Sequence, residues 1–219
     1  MSALPVTTGP ADGDLIDRIA RSLETTGYII LPEVLPETII TGLFVHFKSL
    51  DSGDFIRAGI GHEADYKRNP FVRSDRIHWL DPDNPVTTVY FDWIERLRSG
   101  LNRRLFLGLF DYECHFAYYS QGAFYKKHLD AFQGNNSRVI TTVLYLNPDW
   151  QPQDGGELVI YAPESDQVLE QVVPTFGKMV IFLSEEFPHE VLPVNRSRYS
   201  LSGWFRVNNT LGDSLDPPR

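Results

Sequence analysis

The sequence contains a single cysteine, Cys114, among 219 residues. An intramolecular disulfide and a zinc site built on several thiolates are therefore excluded, and a reducing compartment is compatible. No apolar run reaches the roughly 18 residues that a membrane-spanning helix needs. The N-terminal sequence MSALPVTTGPADGD has neither the basic nor the apolar region of a secretory signal. We therefore expect a cytoplasmic protein that does not enter a membrane.

Basic residues are also scarce, with 20 Lys and Arg against 29 Asp and Glu, a net charge of −9 and a pI of about 5.1. Nucleic acids and anionic membrane surfaces are bound through clustered Lys and Arg, so the composition argues against both as main partners. The 42% hydrophobic and 13% aromatic content is that of a globular protein. A chain of this length can bury a sizeable core as one integrated domain.

The order of patterns predicts helices first and strands afterwards. Apolar residues at helical spacing predict three helices. The first ends near Gly27, the second begins at Pro36 and the third begins near Pro85. Tyr28–Leu31 has the pattern of a short strand, and from about residue 112 short β-type runs alternate with Gly and Pro turns. The predicted strands of that part are Glu113–Tyr119, Val139–Leu146, Leu158–Tyr161, Val168–Val173, Met179–Leu183, His189–Val194 and Tyr199–Val207. This indicates an α+β protein whose β part is a sandwich, jelly roll or barrel.

The predicted organisation has four parts within one domain. Residues 1–11 are a flexible arm, 12–110 a helical support region, 111–207 the β core and 208–219 a tail. The long polar segment 51–84 lacks a helical period. Its length is typical of a lid or a binding element, with a disordered insertion as the alternative. The strand character of FVRSDRIHWL, residues 71–80, favours a hairpin there.

The motif His128-Leu129-Asp130 is a candidate metal site. In an extended segment, residues i and i+2 share a face, so both side chains can reach one ion. His189 follows a turn-like Glu-Phe-Pro and begins another predicted strand, which makes it the candidate third ligand. Two imidazoles and one carboxylate form the facial triad of non-haem Fe(II) oxygenases. A lone H-x-D motif is more often a pair of surface polar residues, so the prediction depends on support from residues further along the chain.

Arg198 supplies the supporting observation. Strand alternation places Arg198, Ser200, Ser202 and Trp204 on one face and Tyr199, Leu201 and Phe205 on the other, core-packed face. An Arg on such a face suits a pocket that grips a carboxylate through its planar fork. The alternative is a surface Arg whose stem packs on Trp204.

The remaining histidines have simpler interpretations. His46 lies in an apolar helical pattern and is expected to pack rather than to bind a metal. His62 lies in the long loop, where a second metal site has little support. His78 and His115 lie on predicted strands beside Trp79 and Phe116, which favours structural roles.

Taken together, these residues resemble the Fe(II)- and 2-oxoglutarate-dependent prolyl hydroxylase domain family, and within it most closely the bacterial, Pseudomonas-type, members. The resemblance spans roughly residues 28–207 and rests on five stretches besides Arg198. They are RSDRIHWL (73–80), YKKHLD (125–130), RVITTVLYLN (138–147), GGEL (155–158) and PHEV (188–191). Ser74 stands where the family has Gly. The fold implied is a double-stranded β-helix, or jelly roll, with the N-terminal helices packed on one sheet.

The resemblance implies roles for particular residues. His128, Asp130 and His189 would bind Fe(II), and Arg198 and Tyr145 would hold the distal carboxylate of 2-oxoglutarate. The expected lining of the cosubstrate pocket is Val143, Leu158, Val191, Ser202 and Trp204. A family tyrosine near the iron corresponds to Tyr118 by spacing, or to Tyr119 if the alignment has a one-residue gap.

Peptide binding is implied for the segment that contains Asp75, Arg76 and Trp79, with an ion pair between Asp75 and Arg138 that orders the substrate loop. The implied reaction hydroxylates a peptidyl proline with O2 and releases succinate and CO2, and ascorbate is expected as a stimulating reductant. For bacterial members the implied partner is elongation factor Tu. The alternatives are an oxygenase of the same fold that acts on another amino acid, and a non-catalytic module that senses 2-oxoglutarate or oxygen.

Overall fold

The computed structural model describes residues 10–58, 72–131 and 137–208. It contains three helices in this part of the chain, α1 (Pro10–Thr25), α2 (Glu37–Ser49) and α3 (Pro85–Leu105). Helix α3 begins as the sequence predicted, because the Asn84 side chain accepts a hydrogen bond from the Val86 N–H and Pro85 has no N–H to leave unpaired. Helix α1 already begins within the predicted flexible arm. Within these ranges, none of the helices combines the length and apolarity needed to cross a membrane.

The strands follow the predicted pattern closely. They are β1 (Tyr28–Leu31), β2 (Ile56–Arg57), β3 (Arg76–Trp79), β4 (Leu109–Tyr119), β5 (Tyr125–His128), β6 (Arg138–Tyr145), β7 (Leu158–Tyr161), β8 (Val168–Val172), β9 (Met179–Leu183), β10 (His189–Val191) and β11 (Arg198–Val207). Strand β4 begins at Leu109 rather than Glu113 because it pairs with β11 along nearly its whole length. Strand β10 ends at Val191 rather than Val194, just before Pro193, which has no N–H for a ladder.

The strands form two antiparallel sheets that confirm the double-stranded β-helix. The major sheet has seven strands in the order β1-β9-β6-β11-β4-β3-β2, and the minor sheet has four in the order β5-β10-β7-β8. The three helices contribute to one cluster of buried residues with one face of the major sheet, as predicted. This helix-face core includes Leu43, Leu97, Phe116, Ile140, Leu201 and Phe205. Cys114 and the ring of His46, 5.9 Å from the Phe116 centroid, belong to this side.

The other face of the major sheet points toward the minor sheet. The inter-sheet core between them includes Tyr119, Val143, Tyr145, Leu158, Val180 and Val191. Because register partners in an antiparallel ladder point to the same side, this face can be followed from strand to strand. Arg198 is opposite Tyr119, Ser200 is opposite Tyr145, and Ser202 is opposite both Val143 and His115.

The segment 72–79 connects the edges of the two sheets. Arg73 forms an isolated bridge with Tyr125 on the minor-sheet edge, and Arg76–Trp79 pair with β4 on the major sheet. Strand β2 pairs antiparallel with β3, which agrees with the hairpin predicted from FVRSDRIHWL. Phe71 of that stretch, like residues 59–70, lies outside the described residues. The segment therefore bridges the two sheets along one side of the inter-sheet core.

Candidate active site

His128, Asp130 and His189 form a cluster whose ligand atoms all lie within 4.8 Å of one another. His128 is the last residue of β5 and His189 the first of β10, and the two are direct partners across these strands. Asp130 lies in the bend that follows β5 rather than in the strand itself. The carboxylate still reaches both rings. Its Oδ1 is 3.5 Å from His128 Nε2 and its Oδ2 is 3.5 Å from His189 Nε2.

Backbone carbonyls fix the orientation of both imidazole rings. His128 Nδ1 is 2.8 Å from the carbonyl oxygen of Lys126, and His189 Nδ1 is 3.0 Å from that of Phe187. A carbonyl only accepts, so Nδ1 carries the proton in each ring and Nε2 presents its lone pair to the cluster. Burial and the neighbouring His128 lower the pKa of His189 to about 4, so His189 is neutral and able to ligate at neutral pH.

The Asp130 carboxylate is held from the major sheet. The Thr141 hydroxyl donates to Asp130 Oδ2 at 2.9 Å, and the Thr141 oxygen lies 2.9 Å from the Ser184 hydroxyl. Since Thr141 has only one proton, Ser184 donates to Thr141. Burial raises the pKa of Asp130, but His189 and His128 outweigh it and hold that pKa well below its usual range. The donor set is thus one carboxylate and two imidazoles whose Nδ1 atoms face backbone carbonyls, which fits Fe(II).

Arg198 lies at the beginning of β11 with only 1% of its surface exposed. Its Nε donates to the carbonyl oxygen of Gly156 at 2.9 Å and its Nη1 to the Ser200 hydroxyl at 3.2 Å. The guanidinium carbon is 4.9 Å from the ring centroid of Tyr119 and 5.1 Å from that of Tyr145. The alternative of a surface Arg with its stem on Trp204 is therefore wrong.

Gly156 explains why the GGEL motif accompanies Arg198. Its φ of +67° lies in the left-handed region, and an added Cβ would come within 2.5 Å of Val194 Cγ1 and 3.0 Å of Arg198 Cδ. A side chain here would therefore be strained and would push against the Arg198 stem. The glycine brings its own backbone close enough to accept the hydrogen bond that orients the guanidinium.

Two buried donors in this pocket have no hydrogen bond of normal geometry with any described residue. They are Arg198 Nη2 and the Tyr145 hydroxyl, which burial keeps protonated by raising its pKa. Arg198 also has no acidic ion-pair partner among the described residues. A buried cation without a counter-ion is costly, and a free N–H beside a free O–H matches the two oxygens of a carboxylate. The residues present therefore fit the distal carboxylate of 2-oxoglutarate.

Apolar side chains from both sheets surround the space between Arg198 and the metal cluster. Val143 comes from the major sheet, and Leu158 and Val191 are register partners in the minor sheet. Ser202 is the register partner of Val143, and Trp204 that of Thr141. The structure thus brings all five predicted lining residues to the inter-sheet side.

Tyr118 does not face this space, and the spacing argument that favoured it is wrong. Its hydroxyl lies 3.1 Å from the Ser197 hydroxyl, and its ring packs 5.6 Å from the Tyr199 ring on the helix-face side. Tyr119 points into the inter-sheet core beside Arg198. Adjacent strand residues point to opposite faces, so the one-residue gap in the alignment exchanges one tyrosine for the other.

The expected ion pair between Asp75 and Arg138 is replaced by two other pairs. Arg73 donates to both oxygens of the buried Asp75, at 2.8 and 2.7 Å, while Arg138 pairs with Glu113 at 2.7 Å. Asp75 is held by the planar fork of Arg73, which is two residues away and easily reaches it. Arg138 instead places its guanidinium carbon 3.7 Å from the Trp204 ring centroid.

The two other predicted peptide-binding residues lie on opposite faces of β3. Trp79 is the register partner of His115 on the inter-sheet side and is 42% exposed, whereas Arg76 is the partner of Tyr118 on the other side. The structure therefore places Trp79, but not Arg76, at the opening of the site.

The sequence interpretation assigned no role to several other site residues. The Tyr125 ring stacks on the His128 ring at 3.5 Å between centroids, and the Arg73 guanidinium carbon is 4.3 Å from the Tyr125 centroid. Parity along β6 would have found Thr141, which shares a face with the predicted Val143 and Tyr145. No local signal pointed to the contact of Arg73 with Tyr125, because this contact depends on the pairing of segment 72–74 with the beginning of β5.

Comparison with known proteins agrees with this geometry. The family model described as the 2OG-Fe(II) oxygenase superfamily matches residues 114–206. A Caenorhabditis elegans hypoxia-inducible factor prolyl hydroxylase is 30% identical over 204 residues, covering 87% of this chain and 28% of that protein. Human prolyl hydroxylase EGLN3 is 25% identical over 199 residues, covering 87% of this chain and 82% of that protein. The chain thus spans less than a third of the nematode relative and most of the human one.

Solved structures extend the similarity to the whole fold. A Trichoplax adhaerens prolyl hydroxylase in complex with a hypoxia-inducible factor oxygen degradation domain peptide has a TM-score of 0.77 and 27% identity, covering 90% of each chain. A Pseudomonas putida prolyl-4-hydroxylase has a TM-score of 0.80 and 38% identity, covering 89% of this chain and 100% of that one. The triad, the carboxylate pocket and this full-length similarity lead to one conclusion: the chain belongs to the prolyl hydroxylase family of 2OG-Fe(II) oxygenases.

Proposed function

We propose that this protein is an Fe(II)- and 2-oxoglutarate-dependent dioxygenase that hydroxylates a prolyl residue of a protein substrate. One observation carries the proposal: a buried Arg198 that lacks an acidic partner among the described residues lies beside the Tyr145 hydroxyl, and neither that hydroxyl nor Arg198 Nη2 has a hydrogen bond of normal geometry there. Both belong to the inter-sheet space that also contains the His-Asp-His cluster. A metal site alone would not need this second, carboxylate-binding element.

Strand β6 sets the distance between the two elements. Thr141 holds Asp130, and Tyr145 faces Arg198, four residues further along the strand. Four residues of a strand span about 13 Å, and side chains reach inward from both ends. The remaining gap suits a short dicarboxylate, with Val143 between the two ends.

Each residue has a defined task in this proposal. His128, His189 and Asp130 would hold Fe(II) on one side and leave other positions open. Arg198 and Tyr145 would fix the far carboxylate, and the apolar walls would exclude water from the reacting centre. Bound Fe(II), 2-oxoglutarate and O2 supply the oxidising chemistry, which leaves succinate, CO2 and a hydroxylated substrate. Ascorbate would act as a reductant that maintains the ferrous state.

The prolyl substrate is supported by the named relatives and by the aromatic side chains near segment 72–79. Aromatic rings of Trp79, Tyr125 and Trp204 line the side where segment 72–79 joins the sheets. Such rings suit an apolar pyrrolidine. We include elongation factor Tu as the partner suggested by the resemblance to bacterial members, and a cytoplasmic location in keeping with it.

The test is peptide-dependent turnover. Purified protein is incubated with Fe(II), 2-oxoglutarate and ascorbate in air with proline-containing peptides tiled over elongation factor Tu, and with a hypoxia-inducible factor fragment for comparison. We expect succinate release that rises with one peptide, and mass spectrometry that places one added oxygen on its proline. An Arg198→Met variant should bind metal but lose 2-oxoglutarate binding.

The outcomes separate the levels of the proposal. Oxygen added to a residue other than proline would overturn the prolyl assignment and keep the oxygenase. A protein that binds 2-oxoglutarate but forms succinate with none of the peptides would favour the non-catalytic sensing module. A protein that binds Fe(II) but not 2-oxoglutarate would overturn the proposal entirely.

A further inference from the structure

His115 is a buried histidine to which the proposed reaction assigns no task. It lies in β4 with 4% of its surface exposed, on the inter-sheet side of the major sheet. Its register partners are Ser202 on β11 and Trp79 on β3. The sequence predicted a structural role, and its ring does pack at right angles to the Trp79 ring with 5.1 Å between centroids.

Packing against Trp79 leaves one nitrogen of the His115 ring without a hydrogen-bond partner among the described residues. His115 Nδ1 is buried and makes no hydrogen bond of normal geometry with any residue in the described ranges. The neighbouring Trp204 ring, 5.3 Å away between centroids, has a buried Nε1 in the same condition. A buried polar group without a partner is costly, so two adjacent ones point to a ligand that satisfies them.

The surroundings keep His115 neutral. Burial and the nearby Arg73 lower the pKa of His115 to about 4, and Arg138 acts in the same direction against the opposing Asp75. A neutral imidazole can either donate or accept through Nδ1. It therefore suits an uncharged amide better than a carboxylate, which the Arg198 pocket already accommodates.

A prolyl residue imposes a particular recognition pattern. Its ring carries no polar group and its nitrogen no hydrogen, so hydrogen bonds can reach only the amide groups on either side of it. A site for it needs apolar surface for the ring and, beside that surface, a few neutral hydrogen-bonding atoms. Trp79, which is 42% exposed, provides such surface. His115 lies between Trp79 and Trp204 on adjacent strands, and its Nδ1 makes no hydrogen bond of normal geometry within the described ranges.

We propose that His115 is a specificity-determining residue of the substrate site, where its Nδ1 forms a hydrogen bond with a backbone amide group next to the target proline. This assignment rests on the proposed function and names a contact within it. Trp204 Nε1 is the second donor of the same wall, while Trp79 covers the His115 ring from the solvent side. His115 does not contact the metal or the dicarboxylate in this proposal.

The experiment compares two substitutions at this position. His115→Leu keeps an apolar side chain but removes both nitrogens, whereas the side-chain amide of His115→Asn places hydrogen-bonding atoms near the position of Nδ1. We expect His115→Leu to raise the peptide KM about tenfold, with kcat, the KM for 2-oxoglutarate and the metal affinity changed less than about twofold. His115→Asn should recover part of the lost peptide affinity, although it fills the space less well than Leu.

The matched control is His46→Leu, because His46 packs on Phe116 from the helix side of the same strand. It should leave every kinetic constant unchanged. Metal and 2-oxoglutarate binding show whether each His115 variant is folded. If His115→Leu does not fold, the same comparison is made between His115→Asn and His115→Ala.

Three results overturn the assignment. The first is an unchanged peptide KM in His115→Leu. The second is an Asn variant that recovers nothing relative to the variant that lacks hydrogen-bonding atoms, since packing alone would then explain the loss. The third is a wild-type protein without peptide-dependent succinate release, which overturns the proposed function and this contact with it. Wild-type turnover together with either of the first two results removes the contact alone.

Discussion

The two faces of the seven-stranded sheet are built from the same strands but by different rules. The helix face carries Phe116, Leu144 and Leu201, which are fully buried and apolar. The inter-sheet face carries Glu113, His115, Thr141, Arg198 and Ser200, which are equally buried and polar or charged. Burial of polar groups costs free energy unless they are paired, so the second face is a poor choice for stability and a good one for binding.

Successive residues divide these tasks. Thr141 holds Asp130, whereas Thr142 accepts or donates in a hydrogen bond with the Tyr112 hydroxyl at 2.7 Å on the helix face. Tyr119 flanks Arg198, whereas Tyr118 packs on Tyr199. A substitution on the inter-sheet face should therefore alter ligand binding or turnover, whereas one at the next residue, on the helix face, should alter the free energy of unfolding.

The largest effect is expected from His128→Ala on the inter-sheet face. It removes one imidazole from the metal cluster, so Fe(II) binding and peptide-dependent succinate release should fall to background. The control His46→Ala removes an imidazole from the helix face and should keep full turnover. Metal titration of both proteins checks this, and turnover that survives His128→Ala would contradict the assignment of the cluster.

The next effect is expected from Arg198→Lys. The charge is kept, but the planar fork that meets a carboxylate is lost. We expect the KM for 2-oxoglutarate to rise roughly 10- to 100-fold, as expected for hydrogen bonds to a charged group, with little change in metal affinity. Arg98→Lys on α3, where Arg98 pairs with Glu95, is the control. Kinetics at varied 2-oxoglutarate distinguish them, and an unchanged KM would remove Arg198 from the pocket.

The sharpest comparison is between Thr141→Val and Thr142→Val. The same chemical change is made at adjacent positions on opposite faces. Thr141→Val should weaken metal binding about tenfold, because it frees the Asp130 carboxylate. Thr142→Val should leave metal binding unchanged and lower the free energy of unfolding by about 1 kcal/mol. Calorimetric titration with Mn²⁺ and urea unfolding measure both, and equal metal affinities would mean that Thr141 does not position the ligand.

The last comparison concerns the pH dependence of stability. His115 has a folded-state pKa of about 4, below the value near 6.5 of an unfolded chain. The unfolded state therefore binds the extra proton first. The stabilisation that comes from keeping the ring neutral is fully present above about pH 6.5. As the pH falls toward 4, the free energy of unfolding decreases by at most about 1.4 kcal/mol per pH unit.

Urea unfolding of the metal-free protein between roughly pH 7.5 and pH 5 measures this loss of unfolding free energy. His115→Leu should lose less stability over this range than the wild type. Parallel curves for the two proteins would mean that the ring is not held neutral.

The sequence predicted the elements well because each depends on local pattern. Tyr28–Leu31, Leu158–Tyr161 and Met179–Leu183 have the predicted bounds, since apolar runs between turn residues define short strands. The triad and Arg198 could be named because a few residue types at fixed spacing suit one chemistry. The strand ends at β4 and β10, and the choice between Tyr118 and Tyr119, depended on pairing and register.

The sequence by itself determined the order of helices and strands, the His-Asp-His donor set and the Arg that accompanies it, because spacing and alternation are properties of neighbouring residues. Only the tertiary structure decided that Arg73 rather than Arg138 pairs with Asp75, that Thr141 holds Asp130, and that His115 has a free nitrogen beside Trp204. Thr141 and Asp130, like His115 and Trp204, come from different parts of the chain, whereas Arg73 and Asp75 are two residues apart on the segment that crosses between the sheets. Which partner a side chain meets there is fixed by sheet register and by the crossing of segment 72–79 between the sheets.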